Sequence, residues 1–597
     1  MIVETRREID PITFEVLRNA FISLVNEMAL AVELASFSLA ISEGRDFSGT
    51  VYDSNGHLIA QGEQDLPVHV GSAQFTVSAV IDQIGLDNMM DGDVFLMNDP
   101  YSGGTHLNDV RLVLPIFYGG RIVAYVASTA HWTDVGGMVP GSFAAQLATE
   151  VYQEGLRLPP VRIVRGGEID PHLLNVILAN VRVPRDAKGD LNAQLAACYT
   201  GRDRFMELID KYGIEILEAC MTEIIDISEQ LFRQEISKLP DGNYPWTDFI
   251  DQDFTTGEPK KIHLTLRIQG DQLTYDFTGT DPVANCSINC TWSSMVSAVF
   301  ITAKAIFSEI PFSYGILRAL NIVAPENTVV NALLPAPVGG FGATAYEKIC
   351  TCALCAFSQV VPERTIAGSY NLLNTFWGGH DPRTNTRYVC YVWSAGGIGA
   401  GAAWDGPHAM QSFLDASTTS IPAEILERMA PILVECDELR PDTCGAGRQQ
   451  GGLGCDKTIC LTSGQARLTV TGDRGKFMAP GLFGGRPAPT QDIVKNKQAD
   501  SRESLGVCVA NHPLQAGNTV SILSMGGAGY GDPLDRDPNA VLDDVINEYI
   551  TVEFAAREYG VVISEVDREA LEVLLDRELT RELREQMRED RGRASLS

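Results

Sequence analysis

Long apolar runs and several common catalytic motifs are missing from this chain of 597 residues. No stretch approaches the roughly 18 apolar residues of a membrane-spanning helix, and the N-terminal residues resemble neither a signal peptide nor a transit peptide. The sequence has no GxxxxGK[ST] phosphate loop, no GxSxG nucleophile elbow and no HExxH zinc motif. These absences predict a cytoplasmic protein without an ATP-binding P-loop of its own.

Positive charge is scarce, because 46 lysines and arginines stand against 77 aspartates and glutamates, giving a net charge of −31. Such a chain repels phosphate backbones and anionic membrane surfaces. No local basic patch is evident in the sequence. We therefore expect no nucleic-acid partner and no membrane partner.

The cysteines do not form a recognisable disulfide framework, since there are 13 of them, an odd number scattered along the chain. Neither of the clusters 286–290 and 350–355 has the two C-x-x-C pairs that are typical of zinc sites. The second cluster lies in the apolar segment AYEKICTCALCAFSQVV, whose pattern favours a packed helix. We interpret both clusters as buried thiols in a protein of a reducing compartment.

The chain is long enough for two to four domains, and its pattern predicts a mixed α+β fold. A helix should begin at Asp10-Pro11, with Asp10 as N-cap, and residues 185–238 are helical in pattern. We predict an N-terminal mixed α/β domain that carries a metal site, a central mixed domain, a glycine-rich β region and a charged helical tail. In that order they span residues 1–238, 239–440, 441–537 and 538–597. The motif GGAGYGD at 526–532 is interpreted as a structural turn.

A β-hairpin is predicted where the runs VRLVLPIF and RIVAYVASTA flank Gly119-Gly120, a pair suited to a type I′ turn. Counting from a Tyr118–Arg121 pair, Asn108 should face His131. His106 then lies on the same face as His131, with Cα atoms roughly 7–8 Å apart. In this register the Asp109 side chain would point to the other face of the hairpin. A turn or bulge within residues 103–108 would therefore have to bring it to the face of the two histidines.

Two imidazoles and one carboxylate are the ligands of catalytic zinc, manganese and non-haem iron centres. His106, Asp109 and His131 are therefore candidate ligands of a divalent metal (Zn, Mn or Fe). The alternative remains that His106 caps a strand, Asp109 makes a loop hydrogen bond and His131 is an ordinary strand-end histidine.

Eight segments, in order along the chain, resemble the hydantoinase B/oxoprolinase family. They are DPITFEVLRNAF, GRDFSGTVYD, PVHVGS, NDPYSGGTHLNDV, DFTGTDP, CGAGRQQGGLG, APGLFGGRP and GGAGYGDPLDRDP. The family includes B subunits of ATP-dependent hydantoinases, the C-terminal half of 5-oxoprolinases and the large subunits of ketone carboxylases. Where many members have a PAAVGGG run, this chain has PAPVGGFG, so the resemblance does not fix the substrate.

The resemblance implies a hetero-oligomer with an A-type ATPase subunit (hydantoinase A/oxoprolinase), on which ATP and Mg are expected. It also implies that His106, Asp109 and His131 bind the metal, because they match the family's His-x-x-Asp pair and later His. Asp46 and Asp134 are the carboxylates expected near the ion, one as an additional ligand or general base and the other as a hydrogen-bond partner of an imidazole. His69 is interpreted as a structural residue or a support for a ligand.

Three functions fit these observations. The preferred one is the B subunit of an ATP-dependent amidohydrolase that opens a small cyclic amide such as a hydantoin, oxoproline or lactam. This preference rests on a length near 600 residues. The second is the large subunit of an ATP-dependent ketone carboxylase of the acetone or acetophenone type. The third is a non-catalytic scaffold for the A-type subunit, favoured if the metal ligands do not converge.

Overall fold

The computed structural model describes residues 9–567 and 572–594. The ends of the predicted N-terminal domain and of the predicted tail, residues 1–8 and 595–597, lie outside the described residues, as does 568–571. The fold is mixed α+β, as the sequence predicts. None of the described helices is long and apolar enough to cross a membrane.

The N-terminal part is a seven-stranded sheet with helices on both faces. Asp10 caps the first helix by accepting hydrogen bonds from Ile12 N and Thr13 N, as predicted. The sheet order is β2-β1-β5-β4-β3-β6-β7. The elements are α1 (Pro11–Ala35), α2 (Leu39–Ser42), β1 (Phe47–Asp53), β2 (Leu58–Gln61), α3 (Pro67–Ile84), β3 (Val94–Met97), β4 (Asp109–Tyr118), β5 (Arg121–His131), β6 (Val161–Arg165), β7 (Glu168–Ile169), α4 (Pro171–Asn180), α5 (Pro184–Tyr212) and α6 (Ile214–Ile236).

A second sheet, in the order β11-β10-β9-β8, packs with two helices in the largest hydrophobic core. The predicted packed helix of the second cysteine cluster is α9 (Glu347–Phe357), whose three cysteines are buried and free. One π-helical turn, Gly342–Tyr346, leads into it. The elements are β8 (Gly242–Ile250), β9 (Lys260–Gln269), β10 (Gln272–Asp276), α7 (Trp292–Ile306), α8 (Tyr314–Ala319), β11 (Leu320–Val323) and α9 (Glu347–Phe357).

Two further sheets follow, in the orders β13-β12-β16-β19 and β14-β15-β20-β17-β18. Their elements are β12 (Asn374–Asp381), β13 (Thr386–Trp393), α10 (Ala423–Met429), β14 (Ile432–Leu439), β15 (Cys455–Leu461), β16 (Gln465–Thr471), β17 (Asp492–Lys495), β18 (Glu503–Gly506), β19 (Val509–Gln515) and β20 (Thr519–Leu523). The C-terminal region is mainly helical but adds a two-stranded ladder. Its elements are α11 (Pro538–Ile546), α12 (Val552–Tyr559), β21 (Val562–Asp567), β22 (Glu572–Asp576) and α13 (Arg577–Ala594).

The glycine-rich motifs pack as extended segments that approach one another backbone to backbone. Gly452 N donates to Ile398 O and Gly527 N donates to Gly452 O, each with an N···O distance of 2.9 Å. A Cβ atom built on Gly451 would lie 1.8 Å from Gly527 O. Only glycine allows this approach, so GGAGYGD is a structural packing element of the fold.

Candidate metal centre

The predicted hairpin is present, and Gly119 and Gly120 both have the positive φ of a type I′ turn, at 59° and 80°. Tyr118 pairs with Arg121, as predicted. The register further along was predicted incorrectly, because the pairing shifts between Ile116 and Phe117. A β-bulge of this kind adds one residue to one strand, so every pair beyond it is shifted by one residue from the predicted register.

This shift explains how Asp109 reaches the site. Asp109, and not Asn108, pairs directly with His131 across β4 and β5. The two side chains therefore share a face without the distortion that the predicted register required of residues 103–108. A tight turn brings His106 beside these two residues. In this turn Asp109 N donates to His106 O with an N···O distance of 3.3 Å.

The three predicted metal ligands converge. One ligand atom from each of His106, Asp109 and His131 lies within 4.8 Å of the others, and all three residues are buried. His106 Nδ1 is 2.9 Å from Asp109 Oδ2, and His131 Nδ1 is 3.5 Å from Asp109 Oδ1. Neither contact has hydrogen-bond alignment, and His106 Nδ1 and Asp109 Oδ1 are buried without a hydrogen-bond partner.

Asp46 lies beside the same three residues. It precedes β1, and its carbonyl accepts a hydrogen bond of 3.0 Å from His131 N, which holds the two residues side by side. Asp46 Oδ2 is 3.6 Å from His131 Nδ1, while Asp46 Oδ1 is buried without a hydrogen-bond partner. Burial, and then the neighbouring Asp415 and Asp109, raise the pKa of Asp46 well above its ordinary value.

Asp134, by contrast, contacts none of these histidines in the described part of the chain. Its carboxylate accepts hydrogen bonds from Gly136 N at 3.0 Å and Gly141 N at 3.1 Å, and it forms a 2.9 Å ion pair with Arg182. In the described structure Asp134 therefore neither accepts a hydrogen bond from an imidazole of the centre nor lies beside the candidate ligands, unlike Asp46. Its observed contacts order the loop that follows β5.

His69 lies closer to the centre than the sequence indicated, and Asp415 was not predicted at all. His69 lies in the first turns of α3, where Ser48 contacts its Nδ1 at 3.1 Å and Asp109 Oδ1 lies 3.2 Å from its Nε2. His69, Asp46 and Asp109 form a second group whose ligand atoms lie within 4.8 Å of one another. The motif PVHVGS gave a signal for His69, whereas no local pattern marks Asp415, which tertiary folding alone brings to Asp46.

The centre has the electrostatic character of a cation site. Burial lowers the pKa of His131 to about 4 and also lowers the pKa of His69, so both imidazoles are neutral at pH 7 and can donate a lone pair. The carboxylates of Asp46, Asp109 and Asp415 are buried beside them. Burying unpaired carboxylates is costly, and a divalent cation among these oxygen and nitrogen atoms would offset that cost. The residues therefore fit a metal ion.

Aromatic rings close the centre from solvent. The Phe143 ring lies edge-on to His106 at 5.3 Å, and the Phe341 ring lies edge-on at 5.4 Å. Tyr391 stacks on His131 with ring centroids 5.4 Å apart. These rings come from three distant parts of the chain, so the polar centre sits in an apolar enclosure.

Similarity to known proteins extends over nearly the whole chain. The family model described as Hydantoinase B/oxoprolinase matches residues 10–533. The chain belongs to the hydantoinase B/oxoprolinase family. One family relative, the putative D-/L-hydantoinase B subunit of Pseudomonas sp. (strain NS671), is 30% identical over 595 residues, which cover 97% of this chain and 98% of that protein.

Another relative is the caprolactamase β-subunit of Pseudomonas jessenii, which is 32% identical over 577 residues, covering 93% of this chain and 96% of that protein. The crystal structure of the ATP-dependent caprolactamase from that organism matches with a TM-score of 0.89 at 30% identity, covering 97% of this chain and all of that chain. A nucleotide-free acetone carboxylase structure matches with a TM-score of 0.91 at 19% identity, covering 99% of this chain and 84% of that chain. The similarity to the acetone carboxylase structure shows a shared fold.

Beneath the His-x-x-Asp segment, a buried arginine orients Asp109 through a threonine. Thr105 Oγ1 donates to Asp109 Oδ2 and accepts a hydrogen bond of 3.1 Å from Arg111. The Arg111 guanidinium is fully buried and is also held by Ser72 and Thr76. Removing a residue that hydrogen-bonds to a metal ligand typically weakens metal binding by about 10–100-fold.

We therefore expect Thr105→Val, which keeps the shape but loses the hydroxyl, to weaken metal binding by about 10–100-fold. Competition with a chromogenic chelator measures this change. Thr302→Val is the matched control, because Thr302 is a buried threonine whose hydroxyl donates to backbone carbonyls of α7 instead of to a candidate ligand. Equal metal affinity in the Thr105 and Thr302 variants would show that the Thr105 contact does not orient the ligand.

Proposed function

We propose that this chain is the B subunit of an ATP-dependent amidohydrolase, which completes the ring opening of a cyclic amide that an A-type subunit has phosphorylated. The observation that carries the proposal is the buried convergence of His106, Asp109 and His131 beside Asp46. Relatives named as the hydantoinase B subunit and the caprolactamase β-subunit match over nearly the whole chain, which supports this reaction class.

In this proposal His106, Asp109 and His131 hold a divalent ion (Zn, Mn or Fe), which supplies Lewis-acid polarisation of the substrate carbonyl. Asp46 serves as a further ligand or as the acceptor of the proton from the attacking water, because one of its oxygens has no other partner. Water adds its oxygen to the phosphorylated amide carbon, the carbon–nitrogen bond breaks, and the ring nitrogen takes both protons of that water. The acyl phosphate so formed is hydrolysed by a second water to the carboxylate and inorganic phosphate. The aromatic enclosure of Phe143, Phe341 and Tyr391 keeps bulk water away from the reacting atoms.

The proposed division of labour predicts that the purified chain alone does not hydrolyse ATP, because its sequence lacks a recognisable phosphate loop. A coupled assay for ADP release should give background rates with this chain and turnover only after an A-type subunit is added. Robust ATP turnover by the isolated chain, persisting in the His131→Ala variant, would contradict the assignment of ATP to the partner.

The decisive experiment co-expresses this chain with an A-type subunit and supplies hydantoin, 5-oxoproline or a lactam together with ATP. We expect the two chains to elute as one hetero-oligomer and the ring-opened acid to form in step with ADP. Labelled bicarbonate is included, because only a carboxylase would transfer the label to product. A parallel reaction supplies acetone or acetophenone in place of the cyclic amide, and label in its product would replace the amidohydrolase with the carboxylase. Loss of metal without loss of turnover would favour a scaffold.

A further inference from the structure

A cavity of about 380 Å³ opens beside the metal centre, between the start of α5 and β13. Its buried lining includes Ala40, Thr133 and Tyr391, while Arg185 and Arg387 lie at its solvent-exposed side. Sites for small molecules typically have volumes of about 300–1,000 Å³. The cavity is therefore large enough for a small metabolite.

Two residues that line this cavity contact residues of the candidate metal centre. Tyr391 lines the cavity and also stacks on His131 with an interplanar angle of 26°. Ala40 lines the cavity too, and its carbonyl accepts a hydrogen bond of 3.0 Å from Asp46 N. Tyr391 therefore belongs to the cavity lining and also contacts a candidate metal ligand.

The cavity carries positive charge in a protein whose net charge is −31. Arg182 lines it and is fixed by its ion pair with Asp134 and by hydrogen bonds to the carbonyls of Gly136 and Gly137. No carboxylate in the described ranges lies within the 4.0 Å ion-pair distance of Arg185 or Arg387, the other two cationic residues of the lining.

One acidic residue, Asp186, also lines the cavity. Burial, and then the neighbouring Asp190, raise the pKa of Asp186 to about 6, so it carries charge at pH 7. Arg182 is paired with Asp134, so three guanidinium groups stand against two carboxylates and leave one net positive charge. Arginine is well suited to bind carboxylate and phosphate oxygens, because its planar fork offers two parallel N–H donors.

We propose that this cavity binds the oxyanion group, carboxylate or phosphate, of the ligand that enters or leaves the metal centre past Tyr391. The inference rests on the proposed function in one respect, since opening a ring amide creates one carboxylate more than the cyclic substrate carries. Arg185 and Arg387 then hold the anionic end of the ligand, and Asp134 acts as a positioning residue for Arg182. The site selects for ligands that carry an oxyanion within reach of the metal centre.

The direct test measures binding of pentanoate and of inorganic phosphate to the purified chain by calorimetry, with pentanamide as the uncharged comparison. We expect the wild type to bind at least one of the two anions and to bind pentanamide at least about 10-fold more weakly, a difference of about 1.4 kcal/mol. Preference for pentanoate would identify a carboxylate ligand, and preference for phosphate a phosphorylated one. Equal binding of pentanoate and pentanamide, without phosphate binding, would overturn the proposal.

Two variants locate the site. The double variant Arg185→Ala/Arg387→Ala should bind the preferred anion at least about 10-fold more weakly, and Val389→Trp, which fills the cavity from β13 without changing charge, should also weaken binding. The control is Arg165→Ala, because Arg165 is an exposed arginine on β6 that does not line the cavity. Unchanged affinity in the double variant, with wild-type circular dichroism, would disprove the assignment.

Failure of this inference can be distinguished from failure of the proposed function. Anion binding is measured on the isolated chain and needs no turnover, so it can be lost in the double variant even if no cyclic amide is opened. In the complex with the A-type subunit, the double variant should raise KM more than it lowers kcat, as expected for loss of uniform binding. Turnover of cyclic amides with unchanged KM would retain the proposed function and reject the cavity.

Discussion

Replacing His131 with alanine is expected to remove the metal and to lower turnover of the assembled enzyme by at least about 10²–10³-fold, the scale on which single electrostatic stabilisers act. His131 supplies one of three convergent ligand atoms, and the remaining two would leave an incomplete ligand set. His106→Ala should have the same effect, because in the proposed function the three residues bind one ion together. Elemental analysis of the purified variants gives metal content, and product formation gives turnover.

Both variants should remain folded, since each histidine lies at the end of a hairpin strand or in the preceding turn. Circular dichroism checks this point. His172→Ala is the matched control, because His172 is exposed at the start of α4, outside the metal centre. Full metal occupancy in a folded His131→Ala protein would remove His131 from the ligand set.

The second large effect concerns stability at a buried ion pair that includes none of the candidate ligands. Arg474 is fully buried and holds Asp248 by two hydrogen bonds of 3.1 and 2.7 Å. Burial opposes ionisation of Asp248, but Arg474 and then Lys348 outweigh it and hold its pKa below the ordinary value. This stabilisation is therefore present above about pH 4 and is lost as the pH falls through the lowered pKa.

Arg474→Met should lower the free energy of unfolding by about 3–5 kcal/mol, because it leaves the Asp248 carboxylate buried without its partner. Urea unfolding at pH 7 measures the loss. The double variant Arg474→Met/Asp248→Asn should recover part of it, since no uncompensated charge then remains. Arg204→Met is the control, because the ion pairs of Arg204 are exposed, and exposed pairs contribute about 0–1 kcal/mol. Equal losses for Arg474 and Arg204 would contradict the argument.

Local signals in the sequence were sufficient for several elements of the fold. Asp10-Pro11 begins a helix because an aspartate cap and a proline at the first helical position need no distant partner. Gly119-Gly120 makes a type I′ turn because only glycine readily takes positive φ at both positions. The cysteines of α9 are buried because the whole segment is apolar.

The candidate metal centre was only partly predictable. The residue types and the family resemblance selected His106, Asp109 and His131, and the structure brings them together. The register of the hairpin was predicted incorrectly, because no residue type in β5 indicates a bulge. This bulge places Asp109 opposite His131. Packing against the rest of the sheet decides such a shift.

What the sequence determined by itself is therefore the family, the local caps and turns, and the identity of the candidate ligand triad, all of which depend on residues close together in the chain or on ordered motifs. Tertiary structure alone decided that His69 and Asp415 join Asp46 and that Asp134 pairs with Arg182 instead of an imidazole. It also decided that Tyr391 both stacks on His131 and lines a cavity that contains three arginines. These contacts join segments tens to hundreds of residues apart. Their formation depends on how sheets and helices pack, which no local pattern encodes.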